Sequence, residues 1–186
     1  MFGMLNRAQK QAQWMDIEPG SEFELISPTD ERSGIRCWPI SLGKRYPAYV
    51  KRERAAGLHP NEALLGLILE EGTGGRLGYF PAVPRLNTRL LDEMASLDVL
   101  LFDGTFWSDD ELIQVQGSGH TARQMGHVPV SGKQGSLHLL AGLKRPRKIF
   151  VHINNTNPML NESGQEYRRV REAGWEIAED GWRFEL

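Results

Sequence analysis

Three side chains able to transfer protons or bind metals lie just beyond apolar segments of the sequence. Asp103 directly follows the apolar run DVLLF, His152 is the next-to-last residue of the run KIFVHI, and His127 lies between these two runs. In open α/β sheets, functional groups collect just beyond the carboxyl ends of the strands. A carboxylate and two imidazoles could therefore meet over one sheet edge, together with the amides that follow His152.

Each of these residues also has a structural explanation. Asp103 could cap the turn that follows its strand, and His127 could be a loop histidine that bonds a backbone carbonyl. The asparagines of the segment HINNTNP tolerate left-handed turn geometry. His152 is different, because a half-buried imidazole at the end of a strand needs a hydrogen-bonding partner or a metal.

The spacing of the candidate ligands indicates at most part of a metal site. A mononuclear catalytic site generally has three protein ligands, often including a closely spaced pair. No HxH, HxxxH or DH pair occurs in the 186 residues, and the single cysteine, Cys37, excludes a disulfide or a thiolate cage within the chain. The glycine-rich phosphate loops and the GxSxG nucleophile motif are absent from the sequence as well.

The elements that must position these residues follow from the hydrophobic pattern. It predicts helices over residues 1–14, 87–96, 121–125, 136–143 and 162–173, and strands over residues 22–26, 35–40, 64–70, 76–80, 98–102 and 148–153. A long irregular loop is expected over residues 41–60, and a closing hairpin over residues 175–178 and 182–185. Strands followed by alternating strands and helices indicate an α/β fold with a mixed sheet and helices on its outer face. Two such layers would stack as an αββα sandwich.

Composition excludes several classes of function. The formal net charge of −2 and the isoelectric point near 6.2 provide no electrostatic footprint for nucleic acid. Basic residues cluster between Lys44 and Arg54 and between Lys144 and Lys148, either as solvated loops or to steer an anionic substrate toward a cleft. No apolar run approaches the ~20 residues of a membrane span. No signal-peptide pattern is present either, so a cytoplasmic location is the expectation.

Long motifs in this chain resemble the coenzyme PQQ synthesis protein B family of the metallo-β-lactamase-like superfamily. They are DVLLFDGTFWSDDE, RQMGHVPVSG, IFVHINNTNPMLNE and the ending AGWEIAEDG. The resemblance implies a metallo-β-lactamase-like αββα sandwich with a metal centre between two sheets. Residues 1–186 would form mainly the C-terminal half of this single domain, with the N-terminal part missing. It also implies a role in making pyrroloquinoline quinone (PQQ) from a peptide-derived tyrosine and glutamate.

The resemblance also implies roles for individual residues. His152 matches the last metal-binding histidine of the superfamily, and Asp103 and His127 match an acid and a histidine that help to move protons. The position of the bridging aspartate in dinuclear hydrolases falls near Ala82 and Val83, which cannot bind a metal. This departure disfavours a dinuclear zinc hydrolase and favours one iron ion over zinc.

The leading hypothesis is a part in PQQ biosynthesis as an iron-dependent hydroxylase of a tyrosine-derived precursor. Ser131, Asn154 and Asn155 would contact the substrate. The alternative is a non-catalytic factor that binds or transports PQQ or its precursor, which needs no metal; a hydrolase is the least favoured. Alone, the chain is expected to be inactive and to bind metal weakly or not at all. Its expected partners are the missing N-terminal half or a second copy of itself, which would cover the bare sheet face.

Overall fold

The computed structural model describes residues 15–27, 31–44, 46 and 59–186. Within these ranges the strands are β1 (Phe23–Ile26), β2 (Arg32–Gly43), β3 (Leu64–Glu70), β4 (Arg76–Phe80), β5 (Val99–Asp103), β6 (Arg147–Val151) and β7 (Trp175–Ile177). The α-helices are α1 (Thr88–Ala95), α2 (Glu111–Gln116), α3 (Ala122–Met125), α4 (Ser136–Leu139) and α5 (Gln165–Glu172), and short 3-10 helices span Pro60–Glu62 and Pro158–Leu160.

The seven strands form one mixed sheet whose spatial order is the order of the chain. Strands β1 to β4 pair antiparallel, and β5, β6 and β7 each pair parallel with the strand before them. The carboxyl ends of β4, β5, β6 and β7 therefore lie at one edge of the sheet. The predicted α/β class with a mixed sheet is confirmed.

A row of aromatic side chains supports this edge. Phe80, Phe102 and Phe150 are in register on three adjacent parallel strands, and each is 0% exposed. The ring of Phe150 stacks on Trp175 with centroids 4.1 Å apart. Burying one such ring stabilises the fold by roughly 1.5–3 kcal/mol. Because Asp103 directly follows Phe102, the packing of this aromatic row fixes the position of Asp103 at the carboxyl end of β5.

Two glycines allow the Phe80 ring to lie flat against the sheet. A Cβ atom added at Gly66 or Gly78 would clash with the Phe80 ring, and at Gly78 also with Leu97. Both glycines lie on strands adjacent to the ring, where glycine permits a close approach of packed groups. The aromatic row therefore depends on the absence of side chains at these two positions.

The helices begin and end largely where capping residues predict. Asn87 caps α1, its side chain accepting a hydrogen bond from the Leu90 N–H at 2.9 Å. Gly174, with φ of 76°, follows the end of α5. Helix α5 begins at Gln165 rather than at 162, because a turn closed by the Gly164 N–H and the Asn161 carbonyl precedes it. Helix α4 ends at Leu139, earlier than predicted, and α2 was not predicted.

The predicted closing hairpin is wrong in its second half. Strand β7 pairs parallel with β6, and residues 182–185 form no strand. The alternation of Trp182 and Phe184 instead reflects packing on one cation, since the Arg147 guanidinium lies 5.0 Å from the first ring and 5.1 Å from the second. The predicted helix 1–14 and most of the predicted loop 41–60 lie outside the described residues, and β2 extends to Gly43.

The two faces of the sheet differ in burial. Leu67, Tyr79 and Leu101 lie in register on the face opposite the aromatic row. Tyr79 is 38% exposed and the two leucines are half-buried. The described residues contain only one sheet, so this face is where the second layer of an αββα sandwich would pack. No helix within the described ranges is long and apolar enough to cross a membrane.

Candidate active site

Asp103 ends β5 and is the centre of a buried hydrogen-bond network. Its side chain is 0% exposed. One oxygen, Oδ1, accepts from the Thr105 N–H at 3.1 Å and from the Thr105 hydroxyl at 2.6 Å. The other, Oδ2, accepts from the Val83 N–H at 2.9 Å. Asp103 therefore caps the turn after its strand, as its structural explanation predicts, and also ties β5 to the segment after β4.

His127 contacts the same carboxylate. It lies just after α3 and is 8% exposed, with Nδ1 2.9 Å from Oδ2 of Asp103. Its backbone N–H donates to the Ala122 carbonyl, and its ring packs edge-on against Phe106 at 5.7 Å. The carboxylate holds the ring through Nδ1, which orients the other nitrogen, Nε2, for proton transfer.

His152 lies one residue beyond β6 and is exposed. Its φ of 53° is the only positive φ of a non-glycine residue in the described part of the chain. Such a conformation costs roughly 1–2 kcal/mol and is often kept at functional sites. The ring lies nearly parallel to that of His127, with centroids 5.5 Å apart. The two imidazoles and the carboxylate predicted to converge are thus side by side at one sheet edge.

Thr105 connects the two histidines to Asp103. Its Oγ1 atom is 2.6 Å from Oδ1 of Asp103, 2.8 Å from Nδ1 of His152 and 3.1 Å from Nδ1 of His127. The backbone carbonyl of His152, at 2.9 Å, is a more distant acceptor. The sequence reasoning missed this residue, although a threonine two positions after a strand-ending aspartate is placed to bond its carboxylate.

The Thr105 hydroxyl has one proton. Assigning this proton to one acceptor determines which ring nitrogen of each histidine is protonated. The shortest contact, to the Asp103 carboxylate, takes this proton as a charge-assisted hydrogen bond. Nδ1 of His152 must then donate to Oγ1 of Thr105, and Nδ1 of His127 donates to Asp103. A neutral imidazole with its proton on Nδ1 has an unprotonated Nε2, the form that binds a metal or accepts a proton.

The predicted substrate-contacting residues lie near this edge and form hydrogen bonds of their own. The Ser131 hydroxyl donates to the Trp107 carbonyl at 2.7 Å. The Asn154 side chain donates to the Thr156 hydroxyl at 2.7 Å, while Asn155 is exposed. The Asn154 and Ser131 side chains thus shape the loops around the site, and their contact with substrate stays a prediction.

A second buried carboxylate, which the sequence reasoning did not identify, braces these loops. Glu111 is 5% exposed; its Oε2 accepts from the Trp107 N–H at 2.5 Å and its Oε1 from the Thr156 hydroxyl at 2.5 Å. It thereby joins the loop after β5 to the loop after β6, which carries His152. The motif SDDE carries three acidic residues, so the sequence does not single out the buried one.

The donor set fits a metal ion in part. Asp103, His127 and His152 each offer a ligand atom, and these atoms lie within 4.8 Å of one another. Asp103, however, already accepts hydrogen bonds from Val83, Thr105 and His127, and replacing them would break the buried network. His152 is free of this restriction, because it is exposed and, within the described residues, only the Nδ1 atom of its ring forms a hydrogen bond. It is therefore the residue best suited to hold a metal.

Comparisons with known proteins show which family this chain belongs to. The family described as "Beta-lactamase superfamily domain" matches residues 2–153. "Coenzyme PQQ synthesis protein B" of Pseudomonas putida KT2440 is 38% identical over 188 residues, covering 100% of this chain and 59% of the relative. The protein of the same name from Gluconobacter oxydans is 36% identical over 154 residues, covering 83% of this chain and 49% of the relative.

One solved structure supports the same assignment. A crystal structure described as Zn²⁺-bound PqqB from Methylobacterium extorquens matches with a TM-score of 0.79 and 33% identity, covering 91% of this chain and 55% of that chain. The resemblance inferred from the motifs is confirmed. The chain nevertheless spans only about half to three fifths of the length of the relatives it matches.

Proposed function

This chain belongs to the β-lactamase superfamily, and we propose that it takes part in PQQ biosynthesis as the portion of a metal-dependent enzyme that carries Asp103, His127 and His152. The reaction we propose is hydroxylation of a tyrosine-derived precursor of PQQ, in which one atom of O2 enters a C–H bond and a two-electron reductant from outside this chain reduces the other atom to water. The observation that carries the proposal is the convergence of two imidazoles and one buried carboxylate at the carboxyl ends of the parallel strands.

His152 would hold the metal ion through Nε2, and the remaining protein ligands would come from outside the described residues. Bound there, the ion supplies Lewis-acid or oxygen-activating chemistry. We favour iron over zinc because Ala82 and Val83 occupy the region where a dinuclear hydrolase has its bridging aspartate. The zinc in the Methylobacterium extorquens structure supports metal binding by that relative without deciding the metal of this chain.

His127 would accept a proton from the substrate at Nε2. Its Nδ1–H remains bonded to Asp103, so the carboxylate orients the ring and stabilises the imidazolium that forms. The ring of Phe106 and the burial of His127 limit the access of water to the pair. Ser131, Asn154 and Asn155, on the loops that border the site, would contact the substrate.

The second sheet of the sandwich would pack on the face that carries Leu67, Tyr79 and Leu101. Its source would be the rest of a longer protein or a second copy of this chain. Either would cover apolar side chains that the described residues leave partly exposed. The 186-residue chain by itself is then expected to have no hydroxylase activity.

A chimera tests the proposed function. This chain would replace the matched 59% of the Pseudomonas putida protein in a strain deleted for that protein, and PQQ in the culture would be measured. We expect PQQ production to be restored, and to be lost in chimeras with His152→Ala or His127→Gln. Arg168→Gln, an exposed site on α5, is the control.

Full PQQ production by the His152→Ala chimera would reject the metal-dependent role and leave the non-catalytic binding or transport role. A folded chimera that restores no PQQ with the unsubstituted sequence would reject a role in this pathway. Folding is checked by circular dichroism of the purified chimera.

A further inference from the structure

A cleft opens near the carboxyl ends of the parallel strands, beside the Asp103–His127 pair. Its volume is about 300 Å³. It lies between the end of β2, the start of β3, the segment after β4 and helix α3. Its described lining residues are Leu42, Gly43, Lys44, Tyr46, Leu64, Pro84, Arg85, Arg123, Gln124, Met125 and Gly126. At the small end of the ~300–1,000 Å³ range for ligand pockets, it fits one end of a small molecule.

The charge of this cleft is of one sign. Lys44, Arg85 and Arg123 line it, and its described lining includes no acidic residue. This contrasts with the formal net charge of −2 for the whole chain. A larger neighbouring cavity of about 460 Å³ shares Arg85 but includes Glu93, so its charge is mixed. The smaller cleft is therefore the stronger candidate for an anion.

The cations of the cleft keep hydrogen-bond donors available. Within the described residues, the Arg85 and Lys44 side chains have no hydrogen bond or ion pair. Arg123 donates one terminal N–H to the Gln134 carbonyl at 2.8 Å, and a guanidinium has five N–H donors. Arginine forks match the two oxygens of a carboxylate, which makes a carboxylate the favoured anion.

The remaining walls are apolar. Leu42, Leu64, Pro84 and Met125 line the cleft, and the Tyr46 hydroxyl points to the His59 carbonyl, to which it donates at 2.8 Å. Apolar walls with a few polar groups are typical of sites for small organic ligands. They suit the carbon skeleton of an aromatic or aliphatic acid better than a free inorganic anion.

The cleft is joined directly to the catalytic residues. Gly126 precedes His127, and Pro84 follows Val83, whose N–H donates to Asp103. The Val128 N–H donates to the Val83 carbonyl at 2.7 Å and links these two segments. A ligand anchored between Arg85 and Arg123 therefore lies next to the segment that positions His127.

We propose that this cleft binds a carboxylate group of a small organic acid and thereby positions the rest of that molecule toward His127. The inference rests on the proposed function in one respect: a precursor made from glutamate and tyrosine carries carboxylates of this kind. Arg85 is the main carboxylate-binding residue, and Lys44 and Arg123 add charge at the rim.

Binding of two probes to the 186-residue chain tests the proposal by isothermal titration calorimetry. The probes are isophthalate, a plain aromatic dicarboxylate, and PQQ. We expect Arg85→Gln to raise the dissociation constant for both at least tenfold, and Arg85→Lys to raise it less. Arg168→Gln removes the same charge from α5, away from the cleft, and is expected to leave binding unchanged.

The outcomes distinguish a failure of the proposed carboxylate site from a failure of the proposed role in PQQ biosynthesis. Isophthalate binding that depends on Arg85, without PQQ binding, supports the cleft as a carboxylate site and contradicts its link to PQQ biosynthesis. Equal weakening by Arg85→Gln and Arg168→Gln would overturn the proposal, since it would indicate attraction to overall charge. Displacement of isophthalate by an equal concentration of inorganic phosphate would overturn the preference for a carboxylate.

Discussion

Strand β5 has an aspartate at each end, and the two aspartates have opposite surroundings. Asp98, just before the strand, has a side chain that is 38% exposed and pairs with Arg145 at 2.9 Å. Asp103, at the other end, is 0% exposed and is bonded by the Thr105 hydroxyl, the His127 ring and a backbone N–H.

The difference shows at which end of β5 the polar groups are held in fixed positions. Ion pairs of exposed groups such as Asp98 and Arg145 are weakened by solvent and contribute little to stability. Burying a carboxylate costs free energy unless its oxygens accept hydrogen bonds. Those bonds in turn hold the donor groups in fixed positions. The Asp103 carboxylate therefore fixes the positions of the polar groups around it, whereas the Asp98–Arg145 ion pair is partly exposed to solvent.

Replacing each aspartate by asparagine should give the largest contrast. Asp103→Asn places an NH₂ group against donors, so we expect it to lower the free energy of unfolding by about 2–4 kcal/mol. Asp98→Asn should lower it by less than about 1 kcal/mol. Urea denaturation of both variants measures the difference, and equal losses would remove the distinction between the two edges.

Thr105 offers the next largest effect. Thr105→Val keeps the shape but removes the hydroxyl, and we expect a loss of about 1–2 kcal/mol. His152 should then lose its preference for the proton on Nδ1, which ¹⁵N chemical shifts of the imidazole report. Thr105→Ser should restore both properties. An unchanged His152 tautomer in Thr105→Val would contradict the proton assignment.

His152 should contribute little to stability although it lies at the same edge. His152→Gly removes a hydrogen bond but relieves the positive φ, so we expect a net change within about 1 kcal/mol. His127→Gln, which disturbs a buried bond to a carboxylate, should cost about 1.5–3 kcal/mol. Thermal unfolding of the two variants measures this; a larger loss for His152→Gly would identify a structural role.

The smallest expected effect is the pH dependence of stability that Asp98 contributes at the amino end of β5. The backbone N–H of Arg76, followed by the side chain of Arg145, lowers the pKa of Asp98. A lowered folded-state pKa gives stability that is present above the unfolded-state pKa of about 3.9 and is lost as the pH falls through the folded-state value. Asp98→Asn should therefore flatten the loss of stability below about pH 4, as measured by urea denaturation against pH.

The sequence predicted the parts of the fold that depend on local pattern. The apolar runs DVLLF and KIFVHI identified the parallel strands β5 and β6, and Asn87 identified the start of α1. The closing hairpin failed because residues 182–185 alternate like a strand while their rings pack on Arg147. An alternating pattern can therefore arise from ring packing on one cation without any strand partner.

The sequence predicted which acidic and histidine residues converge at the site, but it did not predict the hydrogen bonds that connect them. The strand-end positions of Asp103 and His152, with His127 between them in the sequence, predicted that the three side chains converge. The structure brings these three side chains together. Thr105 and Glu111 were missed, because their importance comes from contacts with residues 22 to 47 positions away in the chain. The cleft likewise depends on four segments that are distant in the sequence and meet only in the fold.

Metal binding by the 186-residue chain tests the central claim, that His152 is a metal ligand and that Asp103 and His127 form a separate proton-transfer pair. Zinc and iron affinities would be measured by competition with a chromophoric chelator in the unsubstituted chain, His152→Ala and His127→Gln. We predict weak binding, below one ion per chain, that is lost in His152→Ala and kept in His127→Gln. One tightly held ion per chain, or binding unchanged in His152→Ala, would contradict the account.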